Sequence, residues 1–497
     1  MKLSEFASLN PWWRFGEGFP RYDRNLKELQ EKFIVFERRY INIERGNIYV
    51  LRGTRQSGKT TYVKKTIQAL IEKGTPPDSI LYISCDRLRS RRELSNTILN
   101  FVRSRRERIP HFIFLDEITY LDGWNIEMKA LADSNLMDDL VVVATGSSPA
   151  RIKENAERLP GRRVEGNEFY FKPLTFREFV SQISERLSSY ISSEEIRDAL
   201  HILGERITER SITPDDEPEA IWEASNSIKG FKNELDFLFQ IYLLTGGFPS
   251  TLNDYLKNRF ERKEEEINGE VYETFIRIIS GDISKLKRSE RIAMEILRAV
   301  VERCGSRYSF SRLANLVETP HQTVIDYLDL LERSFILFTL YPLDISRRKP
   351  KFKGDKKIYP FDPFIYHSII VGSFGMDFKE ILDRAREKEG ELVECLVAAH
   401  LLQSKEIPYT GEWRSYLWFL YTSGGKELDF LYKNGSGELL GIEVKYRESV
   451  SMRDITRVRG VKRYLVLTKD QLEMEGETLF VPVSLLLALL EKSERVI

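Results

Sequence analysis

The stretch Gly53-Thr54-Arg55-Gln56-Ser57-Gly58-Lys59-Thr60 constrains this chain more than any other, because an apolar run enters it and a helical pattern leaves it. Ile48-Tyr49-Val50-Leu51 reads as a buried strand and Thr61 to Glu72 as the helix that follows. Glycines let backbone N–H groups wrap an anion, a lysine reaches the outer phosphates of a nucleoside triphosphate, and the hydroxyl after it can ligate magnesium. A loop of this kind needs a parallel sheet around it. The runs Ile80-Leu81-Tyr82-Ile83, Phe112-Ile113-Phe114-Leu115 and Leu140-Val141-Val142-Val143-Ala144 supply the other strands, spaced by helix-length segments.

The residues Gly53, Thr54, Arg55, Gln56, Ser57, Gly58, Lys59, Thr60 and Thr61 are therefore expected to cradle the nucleotide, ATP with Mg2+. The run Phe112–Leu115 ends in Asp116-Glu117. Asp116 is expected to hold the magnesium with Thr60, and Glu117 to polarise the attacking water. The next run ends in Thr145-Gly146-Ser147-Ser148, which makes Ser147 the candidate hydroxyl beside the terminal phosphate, with Thr145 as the alternative. Arg162 and Arg163, in Leu159-Pro160-Gly161-Arg162-Arg163, are the candidate cations for charge on the transferring group. A solvated arginine pair is the other reading of them.

These segments, with Asn10-Pro11-Trp12-Trp13, Pro173-Leu174-Thr175-Phe176-Arg177-Glu178-Phe179 and Gly246-Gly247-Phe248-Pro249, resemble the archaeal-type AAA+ ATPases. The resemblance runs to about residue 280. It implies a nucleotide-binding core over residues 1–174, a helical lid over 175–285, homo-oligomers with ATP between subunits, and Gly247 and Pro249 near the lid contact.

Lysine plus arginine (76) balances aspartate plus glutamate (76), so a nucleic-acid footprint has to be local. Two clusters qualify: Arg347 to Lys357, with seven cations and one acid, and Arg87, Arg89, Arg91, Arg92, Arg103, Arg105, Arg106 and Arg108. Cys85, Cys304 and Cys395 form no CxxC pair, which excludes a zinc ribbon and argues against a disulfide framework. The lack of any apolar run of membrane-spanning length points to a cytoplasmic protein with no membrane partner.

Residues 286–345 carry the order of a winged helix-turn-helix, but the helical segment after Gln322 is acidic on its polar face, which favours packing or a protein partner over base reading. A basic connector is expected over 346–380 and a second α/β unit over 381–497. In that unit Asp429 lies on one strand, while Glu443 and Lys445, two apart, share a face of the next. Glu394 interrupts the apolar helix around Leu392–Leu402. Paired carboxylates can bind a metal that activates water, and a lysine can stabilise the developing charge.

The set Glu394, Asp429, Glu443 and Lys445 resembles the PD-(D/E)XK restriction-endonuclease-like fold, with Leu428 in place of the motif's proline. The resemblance implies Mg2+ or Mn2+ on Glu394, Asp429 and Glu443, with DNA as the partner. The expected architecture is thus α/β, with a P-loop AAA+ parallel sheet, helical lid, winged-helix unit and nuclease-like domain. The expected function is an ATPase coupled to a DNA nuclease or DNA-binding domain. The alternative is a signalling or scaffold ATPase, or a DNA-bound switch, whose last domain only binds DNA or a protein partner and cuts nothing.

Overall fold

Short apolar runs that are buried along their whole length need their backbone groups paired, and a parallel sheet supplies this. In the computed structural model, which describes residues 3–105, 110–146, 167–405, 412–421 and 424–497, β1 (Ile48–Gly53), β2 (Ile80–Ser84), β3 (His111–Asp116), β4 (Leu140–Gly146) and β5 (Glu168–Phe171) form one sheet in the order β2-β3-β4-β1-β5. All its pairings are parallel. The chain divides into two units, Met1–Lys172 with Arg495–Ile497, and Pro173–Glu494.

In the first unit, the helices Lys59–Glu72, Arg91–Ser104 and Trp124–Ala132 connect the strands. Buried side chains pack on both faces of the sheet, Ile113, Leu115 and Val142 on one and Phe112, Phe114 and Val143 on the other. The strand β5 was not among the expected runs; it is only four residues long and half-exposed at its start. It joins β1 so closely that a side chain at Gly53 would lie 2.1 Å from Phe171 O. The chain's last residues continue beside it, where Tyr170 and Ile497 exchange backbone bonds through Arg495 O and Tyr170 O, each 2.8 Å.

The Asn-Pro-Trp-Trp segment covers the open edge of β2. Asn10 Oδ1 accepts from Tyr82 N–H at 2.7 Å and its Nδ2 donates to Tyr82 O at 2.9 Å, while Trp12 Nε1 donates to Ile80 O at 3.1 Å. One side-chain amide thus satisfies an edge residue as a sixth strand would.

The second unit starts with helices. The helix Phe176–Ser188 opens on a capping box of Thr175 and Glu178. Helices Glu290–Glu302, Phe310–Leu316 and His321–Arg333 follow later, and then β6 (Leu337–Leu340), β7 (Leu343–Asp344), β8 (Lys349–Pro350) and β9 (Lys357–Pro360). The strand β6 pairs with β9, antiparallel, across a short β7–β8 hairpin. Residues 346–380 are therefore no simple connector. They contain β9, buried throughout, and the helix Pro363–Phe374, whose residues Pro363 to Ile370 are all buried. A helix apolar on every side belongs inside.

The last sheet runs β10-β11-β12-β13-β15-β14, with β10 (Leu417–Tyr421), β11 (Glu427–Lys433) and β12 (Leu439–Val444) antiparallel. The strands β13 (Arg463–Thr468) and β15 (Thr478–Pro482) continue from β12 in parallel, and β14 (Glu473–Glu475) closes the edge. Asp429 lies on β11 and Glu443 on β12, adjacent strands as the sequence placed them, and β14 is an exposed edge strand.

Candidate nucleotide site and the acidic cluster

The loop after β1 turns through two left-handed residues, Gln56 (φ 61°) and Gly58 (φ 94°), before the helix Lys59–Glu72 begins. No side chain caps that helix, so the backbone N–H groups of its first turn face the loop's concavity. Lys59 is buried, and its Nζ donates to Gly53 O (3.0 Å) and Thr54 O (2.7 Å), while Ser57 Oγ donates to Thr54 O (2.7 Å). Arg38 Nη2 ties the loop to the end of β5 through Ser57 O (3.3 Å) and Lys172 O (3.1 Å). Arg55 reaches Tyr120 OH at 3.4 Å, and Thr61 sits half-buried one residue beyond Thr60.

The residues fit a nucleotide. Thr54 Oγ1 and Gln56 Oε1 are buried in the loop without a hydrogen-bond partner among the described residues, a cost that an occupying ligand removes. The lysine's ammonium is held on the loop's own carbonyls, where phosphate oxygens would take it over.

Asp116, at the end of β3, is the centre of the site. Thr60 Oγ1 donates to its Oδ2 at 2.9 Å, Tyr82 OH donates to the same oxygen at 2.8 Å, and Thr145 Oγ1 donates to Oδ1. The register makes this possible: Ser84 on β2 lies opposite Asp116, so Tyr82, two residues back, shares its face. Burial, with Asp116 adding to it, drives the Tyr82 phenol far above its ordinary range, so it stays a donor. Behind it Lys64 Nζ lies 3.7 Å from the Tyr82 ring centroid and 3.1 Å from Asp23 Oδ2.

Glu117 follows in the left-handed region (φ 54°), and its N–H donates to Thr145 Oγ1 at 3.0 Å. One hydroxyl therefore positions both expected carboxylates. Of the two hydroxyls weighed on this strand, Thr145 makes that contact; Ser147 lies outside the described residues, as do Arg162, Arg163, Arg106 and Arg108. Tyr82 and Arg38 escaped the sequence reading; Tyr82 is marked out only by the β2–β3 register.

The Gly246-Gly247 turn has a structural explanation within the second unit. Gly247 N–H donates to Asp362 Oδ2 (2.9 Å), Leu174 N–H donates to Gly247 O (2.8 Å), and a side chain at Gly247 would lie 2.0 Å from Leu174 O. Burial lifts the Asp362 carboxyl to about 7 against the N–H bonds it accepts from Gly247 and Phe364.

The four residues expected as a nuclease centre fall into two neighbouring groups. Glu443, fully buried, receives Lys445 Nζ (2.8 Å) and Thr456 N–H (2.9 Å), so the two-residue spacing does put Glu443 and Lys445 on one face. Burial works against the Lys445 ammonium, but Glu443 outweighs it and holds the group above its ordinary value. Glu394 and Asp429 instead converge on a residue the motif does not contain. Lys357, on β9, places Nζ 2.7 Å from Glu394 Oε1, 3.6 Å from Asp429 Oδ1 and in contact with Glu427 Oε1.

Burial opposes the Lys357 charge, yet Glu394, Asp429 and Glu427 together raise its pKa, so it remains an ammonium. These residues do not fit a metal as arranged, because Lys357 stands where the ion would have to be. Among the described residues no group of three or more His, Cys, Asp or Glu side chains is placed to hold one.

Comparison with known proteins adds the following. Residues 45–180 match an AAA domain family, and residues 236–374 and 389–486 match two domains of unknown function, DUF8612 and DUF4143. An uncharacterized protein of Methanocaldococcus jannaschii is 26% identical over 484 residues, covering 94% of this chain and 89% of the relative. One from Haemophilus influenzae is 22% identical over 448 residues, 86% and 91% of the two chains. Among solved structures, the Walker-type ATPase of Pyrococcus abyssi is similar at 14% identity and a TM-score of 0.37, over 70% of this chain and 93% of that one. That structural likeness is too distant to carry mechanism. No helix among the described residues is long and apolar enough to cross a membrane. With its family match and the loop, Asp116 and Glu117 set on a parallel sheet, the first unit carries an AAA-type P-loop ATPase domain.

Proposed function

We propose that this chain is a magnesium-dependent ATPase whose nucleotide state controls how its second unit engages DNA. The observation that carries the ATPase half is the convergence of Thr60, Tyr82 and Thr145 on Asp116 beside a P-loop lysine. Lys59 binds the outer phosphates, Thr60 and Asp116 hold magnesium, and Glu117 orients the attacking water. Magnesium supplies neutralisation of phosphate charge. Arg162 or Arg163 of a neighbouring copy stabilises the transferring group, which makes the working form a homo-oligomer, and Ser147 adds a hydroxyl to the terminal phosphate.

The DNA half rests on the β7–β8 hairpin. Arg347, Arg348, Lys349, Lys351 and Lys353 are exposed there beside Phe352, itself 60% exposed, and cations interleaved with an aromatic suit a phosphate backbone. Lys356 and Lys357 drop out of the cluster because both are buried. The helix His321–Arg333 suits packing instead: Glu332 is buried on Arg414 at 2.6 Å, and Asp329 holds Arg333 at 2.9 Å.

Steady-state turnover with Lys59→Ala and Glu117→Gln tests the first half, both variants being expected to lose hydrolysis. DNA affinity in ATP, ADP and no nucleotide, with Lys349, Lys351 and Lys353 reversed to Glu, tests the second. Equal affinity in all three states, or no loss on charge reversal, leaves a scaffold ATPase that works through a protein partner. Metal-dependent cleavage, the other expectation for Glu394, Asp429, Glu443 and Lys445, has Lys357 against it. Cleavage that disappears in Asp429→Ala and Lys445→Ala would restore it.

A further inference from the structure

We propose that the Lys357 ammonium is the resident cation of the acidic cluster in the second unit, standing in the place a divalent metal would take, so that the site is complete without metal. The inference concerns the second unit alone and does not depend on the ATPase reading.

The argument starts from where the lysine comes from. The strand β9 lies outside the stretch that carries the carboxylates, and it pairs with β6 so that Lys357 faces Leu340 in register. Two residues on, and so on the same face, Tyr359 OH donates to Glu394 Oε1, the oxygen that Lys357 also contacts. One strand thus brings both a charge and a neutral donor to the same buried carboxylate. Lys357 itself is 1% exposed, and a charge buried to that degree persists only when paired.

Oxygens of the other three carboxylates are occupied too. Glu427 Oε2 takes Arg307 Nε at 2.8 Å, Asp429 Oδ2 takes Val444 N–H at 2.9 Å, and Glu443 is divided between Lys445 and Thr456. Magnesium demands oxygen ligands at about 2.0–2.1 Å in near-octahedral array. An ion on Glu394 and Asp429 would lie against the ammonium that already bridges them, and two cations cannot share that space.

Charge counting points the same way. Four carboxyl groups, Glu394, Glu427, Asp429 and Glu443, face three cations, Lys357, Lys445 and Arg307, and burial lifts Glu394 to about 7. With Glu394 ionised, removing Lys357 leaves two negative charges uncompensated, which is the charge of one divalent ion. The substitution Lys357→Met should therefore convert a metal-free cluster into a metal-dependent one.

The experiment uses the full chain without nucleotide, with Mn2+ as the probe, read by calorimetric titration and by thermal midpoint in chelator and in Mn2+. Any Mn2+ held by the first unit is common to all variants and cancels. Wild type and Asp429→Asn are expected to give the same isotherm. Lys357→Met is expected to melt below wild type in chelator and to recover with Mn2+. Its added site should bind roughly tenfold or more tighter than any in wild type, the scale of changes in a ligand shell, and should vanish in Lys357→Met/Asp429→Asn.

A wild-type site that binds Mn2+ and is lost in Asp429→Asn overturns the proposal, and so does a Lys357→Met protein that is stable in chelator yet binds no added ion. If Lys357→Met fails to fold under either condition, the comparison of wild type with Asp429→Asn still decides. ATP turnover measured on the same samples keeps this outcome separate from the fate of the ATPase reading.

Discussion

Tyr82→Phe removes a single oxygen from the nucleotide site and nothing else. The ring stays, and with it the contact to Lys64, whose Nζ lies 3.7 Å from the ring centroid. What goes is one of three hydroxyl bonds on Asp116, a carboxylate buried to 4% exposure. A hydrogen bond to a charged group contributes about 1.5–3 kcal/mol.

The first unit of Tyr82→Phe should therefore lose about 1.5–3 kcal/mol, read as faster hydrogen exchange of the β2 and β3 amides in urea. Hydrogen exchange reads the strands of the first unit residue by residue. Tyr82 also shares Asp116 Oδ2 with Thr60, so it is the donor that keeps the carboxylate aimed when Thr60 turns towards a metal. If all of that energy is used in turnover, kcat falls by roughly 10- to 150-fold with KM for ATP little changed. Exchange within about 0.5 kcal/mol of wild type together with unchanged kcat would refute the role given to Tyr82.

Thr145→Val, close in shape, cuts both the bond to Asp116 and the bond from Glu117 N–H, so it should lower kcat more than Tyr82→Phe does. The double variant should be non-additive because both act on one carboxylate. Gly247→Ala drives a methyl to 2.0 Å from Leu174 O and should cost the second unit about 3 kcal/mol or more, whereas Gly269→Ala, with nothing within 4 Å, should be neutral by urea unfolding. His400 is buried, its Nε2 accepting from Phe176 N–H at 2.9 Å and its Nδ1 donating to Leu396 O; burial lowers its pKa to about 4. The unfolded chain then binds the extra proton first, so the stability His400 contributes is full above about 6.5 and is lost as pH falls towards 4. Wild type minus His400→Gln should shrink across that window, and a constant difference in urea midpoint would rule the titration out.

The parallel sheet was legible because each strand is a continuous apolar run, and the P-loop because its spacing recurs with a strand before it and a helix after it. The strand β5 was not, since Glu168-Phe169-Tyr170-Phe171 is short and its place is set by the lack of a side chain at Gly53. Asp116 could be read from its position at a strand end. Tyr82 could not, because it looks like any aromatic of a buried strand until the register with β3 is known. The same holds for Lys357, which in sequence belongs to a run of surface cations. Only the pairing of β9 with β6 carries it inside, away from Lys351 and Lys353, and the carboxylates it meets are remote in sequence. Local pattern records burial and periodicity; it does not record which distant strand supplies the counter-charge.

Among their described contacts, Lys59 and Lys357, both buried, meet different kinds of acceptor. Lys59 donates to the carbonyls of Gly53 and Thr54, neutral acceptors whose net contribution is about 0.5–1.5 kcal/mol each. A triphosphate brings several formal negative charges to the same ammonium, and the loop's carbonyls can return to water when it leaves. Lys357 sits among Glu394, Glu427 and Asp429, and breaking a buried pair by removing one partner costs about 3–5 kcal/mol. A divalent ion could enter only by expelling that ammonium, and the neighbouring acid, Glu443, already carries Lys445.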